Sequence, residues 1–167
     1  MNVDEQEPNN HEYEELYEDP FLRERRSTRP DHHQSGIRQL VHDYTPAEFR
    51  NNVIALAKLG KAFKLPTVLT TGLGLGPNGP FIPEVVSMYP DAPLIDRPGT
   101  ISAWDDPKVV AAIEKTGRKH LIMAGVTVDV CLAFAAMQAV DAGYNVYGVI
   151  DASGGLEVTI RENAVPE

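Results

Sequence analysis

Apolar positions are sparse and unpatterned up to about residue 35 and regular beyond it. In "TPAEFRNNVIALAKLGKAF", Phe49, Val53, Leu56, Ala57, Gly60 and Phe63 recur at helical spacing, which predicts a helix over about 46–64. Its start carries Thr45 as N-cap, Pro46 in the first helical position and Glu48 to complete a capping box. Pro66 stops the pattern, and "TVLTT" (67–71) reads as a short buried strand. "DDPKVVAAIEKTG" repeats the grammar, with Asp106 capping, Pro107 opening and Gly117 closing a second helix. "HLIMAGV" (120–126) and "NVYGVID" (145–151) are two more predicted strands. Between them a helix is predicted over about 130–142, closed by Gly143.

Strands alternating with amphipathic helices imply an α/β fold, a mainly parallel sheet covered on both faces. Ligands of such sheets sit at the carboxyl ends of the strands. That rule directs attention to the residues after Thr71, around Arg97, after Val126 and after Asp151.

Composition divides the chain in two. Residues 1–30 hold the acidic "DEQEPNNHEYEELYEDP" and then the basic "RERRSTR", with no stripe to bury. So few apolar groups do not offset the entropy of ordering a chain, and this extension is expected to be disordered. Residues 31–167 are expected to form one domain. The formal net charge of -9 argues against nucleic acid or an anionic membrane as partner. The single cysteine cannot form an internal disulfide, and neither an 18-residue apolar run nor a signal-peptide pattern is evident. These features predict a soluble, cytoplasmic protein.

That cysteine, Cys131, falls where the predicted helix after strand 120–126 begins. Unpaired helix N–H groups favour a thiolate there and would hold a developing oxyanion. A buried cysteine serving as a small hydrophobe is the plain alternative. The surrounding "AGVTVDVCLAF" (124–134) resembles the segment carrying the nucleophile in the isochorismatase-like cysteine hydrolases. "GPNGPFIPEV", "YPDAPLIDRPGTISAWDDPKVVAAIEKTGRKHLIMAGV" and "AGYNVYGVIDASGG" extend the resemblance to the YcaC-type branch of that superfamily, over roughly residues 32–163. The resemblance implies a three-layer sandwich with a mainly parallel sheet.

It also implies a mechanism. A cysteine attacks a carbonyl or related carbon of a small amide- or ester-like substrate, an acid on the first strand takes its proton, and a basic residue stabilises charge. By position these implied roles fall on Cys131 as nucleophile and Arg97, in "DRPG", as the cation. The Thr127 and Cys131 amides become oxyanion donors after a cis bond at Val126–Thr127. Trp104 is a candidate pocket wall or a core residue. The acidic position is occupied by His32 in "DHHQSG" (31–36), with Asp31 one residue early and therefore on the opposite face of a strand. The family's apolar first strand is replaced here by "RERRSTRP", which is charged and carries Pro30, and the family's last elements are absent, so the fold is expected to be incomplete at both ends.

No cofactor is implied. "DHH" alone makes a weak metal site, and "GLGLGPNG" fails as a dinucleotide loop because Pro77, Pro80 and Pro83 prevent the helix that would face a pyrophosphate. Two functional classes follow: a small cysteine hydrolase, or an inactive relative kept as a subunit of a homo-oligomer, since this branch tends to form large assemblies.

Overall fold

A computed structural model of the chain describes residues 29–164, the first four by their backbone. Of the expected N-terminal extension, residues 1–28 lie outside the described part. Five parallel strands form one sheet: β1 (Arg29–His32), β2 (Thr67–Gly72), β3 (Leu94–Arg97), β4 (His120–Gly125) and β5 (Asn145–Gly148), in the order β3-β2-β1-β4-β5. The helices are α1 (Pro46–Ala62), α2 (Pro83–Met88), α3 (Pro107–Lys115), α4 (Ala133–Asp141) and α5 (Val158–Ala164).

The pleat sends alternate strand residues to opposite faces, and two cores result. On one face, Leu69 and Ala124 pack with Phe49, Val53, Leu56 and Ala57 of α1 and Val85 of α2. On the other, Val68, Leu121 and Met123 pack with Val109 and Ile113 of α3 and Ala135 and Ala139 of α4. The result is the expected three-layer sandwich.

The local signals at the helix starts are realised. Thr45 Oγ1 accepts from the Glu48 amide at 3.3 Å, and Glu48 Oε2 accepts from the Thr45 amide at 3.0 Å, closing the capping box. Asp106 caps α3 by accepting from the Lys108 amide at 2.8 Å. Gly117 and Gly143 end their helices at φ of 67° and 84°, a conformation that favours glycine.

Other boundaries differ from the sequence reading. The predicted strand 145–151 ends at Gly148, because residues 150–152 turn into a 3-10 helix. The helix predicted from about residue 130 starts as a wide π turn, Val128–Leu132, and becomes α4 at Ala133. β3 is not among the predicted strands: Leu94 and Asp96 are exposed, Ile95 is half-buried and Arg97 is buried. In the central position, the charged "RPDH" stands in for an apolar strand, contrary to the argument that its charges and Pro30 keep it out of the sheet. The register explains how. Arg29, Pro30 and Asp31 align with Thr67, Val68 and Leu69 of β2, whereas the ladder to β4 begins only at Asp31. Pro30 thus sits near the strand's first residue, where a missing N–H is tolerated.

Candidate active site

The carboxyl ends of β1, β2, β3 and β4 converge at one end of the sheet. β4 ends at Gly125, the peptide Val126–Thr127 is cis, and the π turn carrying Cys131 follows. Amides of Val130 and Leu132 donate to the Thr127 carbonyl at 3.3 and 3.2 Å, closing the turn. Cys131 is half-buried and its thiol is free.

Arg97, the last residue of β3, is buried, with 1% of its surface exposed. Its Nε donates to Thr70 Oγ1 on β2 at 3.0 Å, and Nη1 donates to the carbonyls of Thr100 and Ile101 at 2.5 and 3.1 Å. The following turn, with Gly99 at φ 96°, folds those carbonyls back onto the guanidinium. Burial lowers the Arg97 pKa from its ordinary value, and the group that most opposes this is Cys131 in its ionised form. The Cys131 thiol is pushed up by burial. A backbone hydrogen bond from Thr127 and the Arg97 charge pull it down, and the Asp129 carboxylate pushes it up again. Desolvation therefore outweighs the backbone hydrogen bond and the cation, and the Cys131 pKa lies above its ordinary value. The turn backbone and the cation act in the direction expected of the helix start, and burial acts against them.

Cys131 and Arg97 thus lie within electrostatic reach of each other, and Thr127 opens the turn that carries Cys131. His32 is described by its backbone, which aligns with Gly125 at the end of β4, two residues before Thr127. Trp104 belongs to the core: its ring meets Tyr144 edge-on at 5.3 Å between centroids, and Tyr144 follows the end of α4 that lies away from Cys131.

Two neighbours of His32 carry structural weight that the sequence reading did not assign. His33 is fully buried and its Nε2 hydrogen-bonds the Ala152 carbonyl at 2.6 Å. Gln34 is fully buried; Nε2 donates to the Gly79 carbonyl at 2.6 Å, and Oε1 accepts from the Gly72 amide at 2.8 Å. With the Ser35 and Gly36 amides donating to Pro80 and Asn78 carbonyls at 2.8 Å each, Gln34 docks the glycine-rich loop beside the site. The signal was a polar "HQS" at the end of a strand, where buried amides pair with loop backbone.

A fold of this order, with a cysteine turn after β4 and a buried arginine ending β3, defines a class of sheet-end cysteine sites. A profile of the isochorismatase domain family matches residues 33–166, and the chain belongs to that family. A protein of Escherichia coli (strain K12) named "Probable hydrolase YcaC" is 49% identical over 132 residues, which is 79% of this chain and 64% of that protein. The chain therefore spans a little under two thirds of that relative's length. The crystal structure of the E. coli YcaC gene product, described as an octameric hydrolase of unknown specificity, superposes with a TM-score of 0.82 at 47% identity, covering 84% of this chain and 69% of that one. YcaC from Pseudomonas aeruginosa, with hexane-2,5-diol and covalent acrylamide, gives 0.82 and 47% over 84% of this chain and 70% of that one.

Proposed function

We propose that the chain is a cysteine hydrolase that cleaves an amide- or ester-like bond of a small molecule through a covalent intermediate on Cys131. The observation that carries this reading is the buried Arg97 cation lying within electrostatic reach of the Cys131 thiol at the ligand-binding end of the sheet. Further support comes from the hydrolase descriptions of the relatives and from the covalent acrylamide in the P. aeruginosa protein, an activated alkene of the kind that captures nucleophiles.

The thiol proton passes to a base, and the sulfur bonds to the substrate carbonyl carbon. The oxyanion so formed is held by the Thr127 and Cys131 amides and by the Arg97 charge. Collapse breaks the bond to the amine or alcohol, which leaves with the proton, and water then hydrolyses the thioester. Arg97 stays cationic throughout and gives charge, not protons. The base assigned by register is His32, whose imidazole forms a workable pair with a thiolate.

Copies of the chain are further proposed to assemble, as the E. coli relative does. Phe134, Met137 and Val140 expose 45%, 55% and 56% of their surface along one side of α4, an apolar stripe suited to a partner. Intact-mass measurement after exposure to a panel of amide and ester electrophiles tests the catalytic reading. An adduct lost in Cys131→Ala is expected, and a chain that reacts with none of them refutes it.

A further inference from the structure

We infer that Asp43 and Arg161 form a clamp that positions the Cys131 turn from outside the site; this rests on the proposed role of Cys131 as nucleophile. The entry to that turn is templated by residues 153–155. The Gly125 amide donates to Ser153 Oγ at 3.1 Å, and the Val128 amide donates to the Gly154 carbonyl at 2.9 Å. These residues are in turn held from the other side. The His42 amide donates to the Gly155 carbonyl at 3.1 Å. Gly154 lies so close to Val41 that a Cβ there would sit 2.4 Å from Cγ2. A Cβ on Gly155 would lie 3.4 Å from Asp43 Oδ2 and 3.6 Å from Val128 Cγ1, so Asp43, Gly155 and the first residue of the turn are stacked in sequence.

Asp43 is the end of that stack, and its side chain is fully buried. Arg161 of α5 reaches back across 118 positions and donates from Nη1 to Asp43 Oδ2 and to the Asp43 carbonyl, at 3.3 Å each. Its guanidinium carbon lies 4.6 Å from the centre of the Tyr44 ring, a cation–π placement that fixes the fork. Asp43 Oδ1 has no hydrogen-bond partner among the described residues, which leaves Arg161 to neutralise the carboxylate. A buried charge stripped of its partner must move toward water. The packing makes that movement transmit through residues 41–43 to 153–155 and so to Val128. α5 also packs on the same π turn, and Ala164 contacts the core that contains Val128 and Leu132. Arg161 touches nothing in the site itself, so it is a positioning residue.

The test follows Cys131 alkylation by iodoacetamide against pH in the full chain, each variant well below its own melting temperature. In Arg161→Met the turn loosens and the sulfur hydrates. The midpoint then moves down toward that of free cysteine, and the rate at neutral pH rises roughly threefold or more. Arg161→Lys keeps the cation and the wild-type midpoint. Asp43→Asn in the Arg161→Met background removes the charge that needs a partner and restores the midpoint, which a merely structural loss would not do. Arg50→Met, which breaks the exposed pair with Glu84, changes nothing. An Arg161→Met midpoint equal to wild type, or no recovery in the double variant, overturns the clamp. Failure of the catalytic reading is seen separately, as a wild-type chain that iodoacetamide labels and no amide or ester substrate does.

Discussion

Arg97→Met separates what the buried cation does for the fold from what it does for the sulfur. The side chain is of similar length and apolar, so little volume is lost, while the guanidinium hydrogen bonds disappear and leave Thr70 Oγ1 and the Thr100 and Ile101 carbonyls short of a donor. Each buried group left unpaired costs about 1–3 kcal/mol, and the relief of no longer desolvating a guanidinium offsets part of the sum, for a net loss of about 2–4 kcal/mol. Against a total of about 5–15 kcal/mol for a domain, that is readily measured as a lower urea midpoint at constant m. The effect on Cys131 has a fixed sign. Arg97 pulls the thiol pKa down, so its removal leaves burial and Asp129 unopposed by charge, and the alkylation midpoint moves further up. Arg97→Lys should divide the two effects, keeping most of the electrostatic one while losing part of the stability, because a point charge does not reach Thr70 and both carbonyls together. An Arg97→Met protein with an unchanged alkylation midpoint would show that the cation does not act on the sulfur, and the site as argued would fall.

Because folding raises the Cys131 pKa, the protonated thiol favours the native state, and this contribution is complete below the ordinary thiol value of about 8.5 and lost as pH rises through the folded value. Urea midpoints of the wild type should therefore decline at alkaline pH more steeply than those of Cys131→Ser. Gln34→Leu strands the Gly79 carbonyl and the Gly72 amide, costing about 1–3 kcal/mol for each buried group, and should expose residues 73–80 to proteases. Gly154→Ala forces a methyl into Val41 and costs about 1–3 kcal/mol by thermal melting, with the Cys131 environment disturbed as well.

The elements legible in the sequence were those with local grammar. Thr45, Pro46 and Glu48 specify a helix start by backbone chemistry that needs no tertiary partner, and so do Asp106 and Pro107. β1 was illegible because its charges argue against burial and only its neighbours make it a strand: Asp31 and His32 acquire partners from β4 that lie about ninety residues away. β3 was missed for a related reason, since its residue types run against its burial, with Leu94 exposed and Arg97 buried. Cys131 was singled out by its place at a predicted helix start and Arg97 through resemblance, and the structure adds the hydrogen bonds that hold Arg97 and the turn around Cys131. The burial that raises the Cys131 pKa was not legible, because a sequence shows the helix start and hides the desolvation that opposes it.

A thiol whose pKa burial raises makes the base the deciding group, and its identity has a measurable consequence. A neutral thiol attacks only if its proton leaves as the carbon–sulfur bond forms, so the pH at which the base loses its own proton sets the acid limb of the rate profile. An unperturbed imidazole titrates at about 6.5 and an unperturbed carboxylate at about 4, a separation of about two units, so the displacement between His32 and His32→Asp in the same site is the quantity to compare. If His32 serves, hydrolysis of whichever ester first labels Cys131 rises with a midpoint in the histidine range. His32→Ala then loses about 10²–10⁴-fold in rate, and His32→Asp recovers activity with its acid limb displaced downward. The β1 backbone at this position is already aligned with Gly125, so the exchange alters the acid and leaves the strand in register. An acid limb that stays where it was in His32→Asp would assign the proton to another group, and Asp129, whose charge already reaches the sulfur, would be the residue to substitute next.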